Sequence, residues 1–138
     1  MSAIGSARRK YFTPQQANAM LPLLKLIVRD ISNLAQALRE QHRRLAQLEE
    51  EQADLDEIVG EIERTQDEMH AHAHELEQLQ VELKDPLAGL VDFRSRLNGR
   101  EVYLCWRLGE TEVAHWHELD AGFVGRQKLA KINNRPKP

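Results

Sequence analysis

From Leu24 to Leu83 apolar residues recur at alternating spacings of three and four, and this heptad repeat constrains the fold more than any other feature of the chain. Leu24, Ile27, Ile31, Leu34, Leu38, Leu45 and Leu48 form a first seam, interrupted by Gln41. Leu55, Val59, Ile62, Met69, Ala73, Leu76 and Leu83 continue it. Thr13, Pro14 and Gln16 supply an N-cap, a first-turn proline and a reciprocal N3 glutamine, so a helix opens at Thr13. Asp85-Pro86 closes the helical region, because the proline ring disfavours helix in the preceding residue. The phase would also suit one continuous rod. A turn near residues 50 to 54, with Asp54 and Glu57 as a second capping box and Gly60 as a weak point, favours two helices folded as an antiparallel hairpin over 13–84. Pro22 should bend the first helix or mark a local break near its start.

At 138 residues the chain fits one domain, with tails at 1–10 and 127–138. Residues 14–84 hold 7 Lys and Arg against 15 Asp and Glu, a net of −8. The remainder holds 12 against 7, a net of +5. The acidic helices should repel nucleic acid, and no nucleic-acid-binding motif accompanies the basic groups outside them. No apolar run approaches the roughly 20 residues that span a bilayer, and the N-terminus lacks the apolar run of a secretion signal, so a cytoplasmic protein is expected. Cys105 is the single cysteine, which excludes an intrachain disulfide and reads as a buried thiol.

Residues 89–126 form a compact unit of strands and glycine turns. Asn98-Gly99 is a strong two-residue hairpin signal and Gly109-Glu110 is compatible with a second, giving three antiparallel strands near 89–97, 100–108 and 111–118. That register sets Arg96 opposite Glu101 and Arg107 opposite Glu112. It places Val91, Phe93, Val102, Leu104, Trp106, Val113, His115 and His117 on the face that covers the helix base. The other face carries Asp92, Arg94, Tyr103, Cys105, Arg107, Trp116 and Glu118. The expected class is therefore α+β, a long helical hairpin with a small three-stranded sheet packed at its base. Strands of about 23 Å cannot cover helical arms of about 50 Å, so a homo-oligomer is expected.

Two constellations could carry chemistry. His115 and His117, at alternate strand positions, share one face and suit a Zn, Fe or Mn ion, with a third ligand from a helix, from Asp120 or from a second subunit. The alternative is that both rings hydrogen-bond helix groups. Asp92, Arg94, Tyr103, Arg107, Trp116 and Glu118, with Arg126 folding back over them, form a polar and aromatic surface for a small anion. Gly122 and Gly125 would there allow backbone amides to approach it. His70, His72 and His74 read more simply as a solvated helix face. No nucleophile, base and orienting group stand together, so the residues fix no reaction.

The run GLVDFRSRLNGREVYLCWRLGETEVAHWHELDAGFVGR, with YFTPQQANAMLPLL at the helix start and VELKDP at the junction, resembles the bacterial domain-of-unknown-function 2203 family. The motifs that carry the resemblance are Cys105-Trp106-Arg107 with Gly109-Glu110, Trp116-His117-Glu118, and Gly122-Phe123 with Gly125-Arg126. It extends from Tyr11 to Arg126. It implies no activity, cofactor or catalytic residue. Together the residues point to a self-associating interaction module with a ligand-presenting sheet end, or else to a metal- or small-anion-binding protein that uses that end as its site.

Overall fold

The computed structural model describes residues 9–51 and 55–129 and has an α+β architecture, with two helices against one antiparallel sheet. Helix α1 spans Pro14–Glu51 and α2 spans Leu55–Gln78. The capping box forms as the sequence requires: Gln16 N donates to Thr13 Oγ1 at 3.0 Å and Thr13 N to Gln16 Oε1 at 2.9 Å. Helix α1 runs through Pro22 without a break. Most of the expected turn at 50 to 54, including the Asp54 cap, lies outside the described residues. The two helices touch through Arg44 Nη1 and Glu61 Oε1 at 3.3 Å, and through His72 Nε2 and Asp30 Oδ2 at 3.9 Å. No helix among the described residues is long and apolar enough to cross a membrane.

The sheet has five strands rather than three: β1 (Val81–Asp85), β2 (Leu90–Leu97), β3 (Arg100–Arg107), β4 (His115–His117) and β5 (Gln127–Lys128), each paired with its neighbour in sequence. The two additional strands correct the sequence reading at both ends. Helix α2 stops at Gln78 rather than near Leu83. Gln80 takes a left-handed φ of 61°, and the alternation of Val81, Glu82 and Leu83 then pairs with Phe93, Asp92 and Val91. Gln127 and Lys128, expected in a tail, pair with β4, and Leu129 after them is buried with its amide on the Ala114 carbonyl at 2.8 Å.

One sheet face packs on α1 and the end of α2. Leu24, Val28, Ile31 and Leu76 meet Val81, Val91, Phe93, Leu104 and Trp106, with Phe12 edge-on to Phe93 at 5.3 Å. The segment before α1 is stitched to β2: Phe12 N donates to the Arg94 carbonyl at 2.8 Å and Ser95 Oγ to the Phe12 carbonyl at 2.6 Å. These bonds satisfy buried backbone groups that would otherwise be costly.

Candidate functional site

The face of the sheet away from the helices is set by register. Between β2 and β3 the expected pairing holds, with Arg96 opposite Glu101 and Asp92 opposite Cys105. Between β3 and β4 it is displaced by one residue: Cys105 faces His115, Leu104 faces Trp116 and Tyr103 faces His117, and no strand pairing joins Arg107 to Glu112. The connection is longer than a two-residue loop. Glu110 Oε1 accepts from Arg107 N at 2.9 Å, its carbonyl accepts from Trp106 Nε1 at 3.0 Å, and Asn18 Oδ1 on α1 accepts from Val113 N at 2.7 Å. A displacement of one inverts every side chain. His115 and His117 still share a face, but it is the one carrying Asp92 and Cys105. Trp116 turns to the helical side instead.

Asp92, Cys105 and His117 meet at the centre of this face, each nearly inaccessible to solvent. His117 Nε2 lies 3.0 Å from Asp92 Oδ2, and Nδ1 lies 2.7 Å from the Glu118 carbonyl. Because a carbonyl only accepts, Nδ1 carries a hydrogen and Nε2 is directed at the carboxylate. Burial raises the Asp92 pKa above the usual aspartate value, although His117 opposes the shift. Burial, reinforced by the Asp92 charge, pushes the Cys105 thiol up to about 12. With both His117 nitrogens engaged and the thiol held protonated, this trio is not an activated cysteine nucleophile.

The segment after β4 folds back over the site, as its glycines suggested. Gly122 has φ 71°, a single 3₁₀ turn follows at Phe123–Gly125, and a Cβ on Gly125 would come within 2.8 Å of Ala121 Cβ. The Gly125 amide donates to the Gly122 carbonyl at 3.1 Å, so it is used within the turn rather than offered to an anion. Arg126 Nη2 donates to Glu110 Oε2 at 2.8 Å and to His115 Nδ1 at 2.5 Å, and its guanidinium lies over the Phe123 ring. Partial burial, with the Arg126 charge beside it, lowers the His115 pKa. Between this cover and the sheet lies a cleft of ≈ 280 Å³, walled by Lys84, Asp92, Tyr103, His117, Asp120 and Phe123 among others.

The other expected ligand residues are spread apart. Arg94 donates to Glu101 Oε1 at 3.2 Å and to the Tyr103 hydroxyl at 2.9 Å, and Tyr103 in turn donates to Glu82. Arg107 is exposed, with its guanidinium 5.8 Å from the Phe123 ring. Glu118 pairs with Arg100 at 3.0 Å, outside the cleft walls. Arg94 and Arg126, expected to receive an anion, are thus held by carboxylates. Sequence reasoning missed Cys105 as a neighbour of His117, along with Glu82, Lys84 and Glu110; the period-two pattern of VELKD was the available signal for the first strand. On α2, His72 contacts Glu75 at 2.9 Å and His74 contacts Glu77 at 3.5 Å.

Glu101 shows how the register is secured. Its Oε2 accepts from the Tyr11 hydroxyl at 2.7 Å, and this bond, followed by the charge of Arg94, holds its pKa below the usual glutamate value. A depressed carboxylate stabilises the fold above its unfolded pKa and loses that contribution as pH falls through the folded one. Tyr11→Phe should therefore move the Glu101 titration upward towards the ordinary range, read by NMR. An unchanged titration would place the cause elsewhere.

No curated protein and no solved structure matches the chain. The family model described as an uncharacterized conserved protein matches residues 10–129, which take in both helices, all five strands and the cleft. The chain belongs to the DUF2203 family.

Proposed function

We propose that the protein is a self-associating interaction module, in which α1 and α2 form an antiparallel hairpin that supplies the assembly arm and the sheet end presents a bound ligand. The observation that carries it is the state of the heptad seam: Leu34, Leu38, Leu45 and Leu48 remain only half-buried although α2 lies alongside. A second hairpin would cover the remaining apolar surface in the manner of a four-helix bundle, contributing about 1 kcal/mol per leucine. The order of the two interhelical contacts, Arg44 with Glu61 and Asp30 with His72, supports the antiparallel arrangement. Buried Asp92 Oδ1, Arg94 Nε and Arg126 Nε, which have no hydrogen-bond partner among the described residues, support a ligand role for the sheet end, since a purely structural face would more cheaply be apolar.

Light scattering should give at least a dimer, and the double variant Leu34→Glu, Leu38→Glu should shift it to monomer. A wild-type protein that stays monomeric from micromolar to millimolar concentration would remove the assembly reading.

A further inference from the structure

We infer that Asp92, Cys105 and His117 form a divalent-metal site of zinc-type chemistry, open on one side to the cleft beneath Gly122 and Phe123. This deepens the reading of the sheet end as the ligand-presenting end and rests on it. One donor atom from each residue lies within 4.8 Å of the others. Ligands of a single zinc, at bond lengths of about 2.0–2.3 Å, sit roughly 3–4 Å apart, so the donors would draw together by about an ångström on binding. The backbone already makes the three residues neighbours, with Asp92 and Cys105 directly opposed and His117 two residues along β4 from the partner of Cys105.

Three features distinguish this cluster from a chance meeting of polar groups. The Glu118 carbonyl holds His117 Nδ1 as a donor, the orientation that second-layer partners impose on metal-binding imidazoles, and leaves Nε2 to face the carboxylate. An imidazole lone pair and a carboxylate oxygen 3.0 Å apart repel unless a positive charge lies between them, whether a proton or a metal ion. Asp92 is 3 % exposed, and its Oδ1 makes no hydrogen bond of good geometry among the described residues, although the Cys105 thiol interacts with the carboxylate.

Charge balance permits the exchange. Without metal, one proton lies between Nε2 and Oδ2 and another on the Cys105 sulfur. Binding M²⁺ releases both protons to solvent and leaves a neutral set of one dication, one carboxylate and one thiolate, so no net charge is buried. A nitrogen, sulfur and oxygen donor set suits zinc and disfavours Mg²⁺ or Ca²⁺, which require more oxygen ligands. Asp92 and His117 also wall the cleft, so a fourth position is reachable by water or a small ligand.

The test uses full-length untagged protein, stripped with chelator and titrated with Zn²⁺ alone and with Co²⁺ alone. The expected result is one equivalent bound per chain and a thiolate-to-cobalt charge-transfer band. Asp92→Asn, Cys105→Ser and His117→Gln should each weaken Zn²⁺ binding at least tenfold, while His115→Gln and His74→Gln bind as wild type. Absence of uptake, or a wild-type cobalt spectrum without the thiolate band, overturns the inference whether or not the variants fold. Loss of metal in His115→Gln equal to that in His117→Gln overturns it too, in favour of the histidine pair. A metal-free protein that still scatters as an oligomer refutes this site alone, whereas a metal-binding monomer refutes the assembly.

Discussion

Trp106→Ala is expected to destabilise the protein by about 3–5 kcal/mol, the range for removing a large buried aromatic side chain. Trp106 is fully buried where β3 meets α1, and its Nε1 is a donor to the Glu110 carbonyl, so the substitution opens a cavity and also frees the loop that sets β4. Against a total stability of about 5–15 kcal/mol, such a loss leaves many molecules unfolded at ordinary temperatures. Trp106→Phe retains most of the volume and loses the hydrogen bond, so it should cost roughly 1–2 kcal/mol. Urea unfolding midpoints separate the two. Equal losses would mean that the hydrogen bond, rather than the packing, dominates at this position.

The second large effect is expected at Asp92. Removing one partner of a buried, hydrogen-bonded pair typically costs about 3–5 kcal/mol, because the remaining group stays in the interior without compensation. Asp92→Ala should approach that range, since His117 is 2 % exposed and Asp92 is the partner of its Nε2. Asp92→Asn places an N–H donor opposite Nε2 and should cost only about 1 kcal/mol. Both measurements belong in excess chelator, so that the pair is read apart from any bound ion. A larger loss in Asn than in Ala would show that the carboxylate is not held by His117.

The first β-hairpin was legible because Asn98-Gly99 permits one tight loop, and the observed φ values of 56° and 79° there are those that Asn and Gly tolerate. Even so, Glu101 bonds Arg94 diagonally, whereas Arg96 lies over the Tyr11 ring. The second connection was misread because Gly109-Glu110 also resembles a tight turn, while its real geometry depends on Asn18, 95 residues away on α1. A long-range clamp leaves no local trace. That single displacement moved both histidines to the polar face and hid Cys105 as their neighbour. The end of α2 failed for another reason: Leu83 continues the heptad and also fits a period of two, and only pairing with Val91 decides between them.

Among the described residues the sheet runs in strict sequence order, with β1 and β5 as its outer strands. β5 is two residues long. β1 carries a register irregularity between Leu83 and Asp85, and the Lys84 between them is exposed. Short, kinked and charged margins are poor templates for an incoming strand. Addition of a foreign β-segment, the usual route to fibrous aggregates in open sheets, is therefore disfavoured at both of these strands.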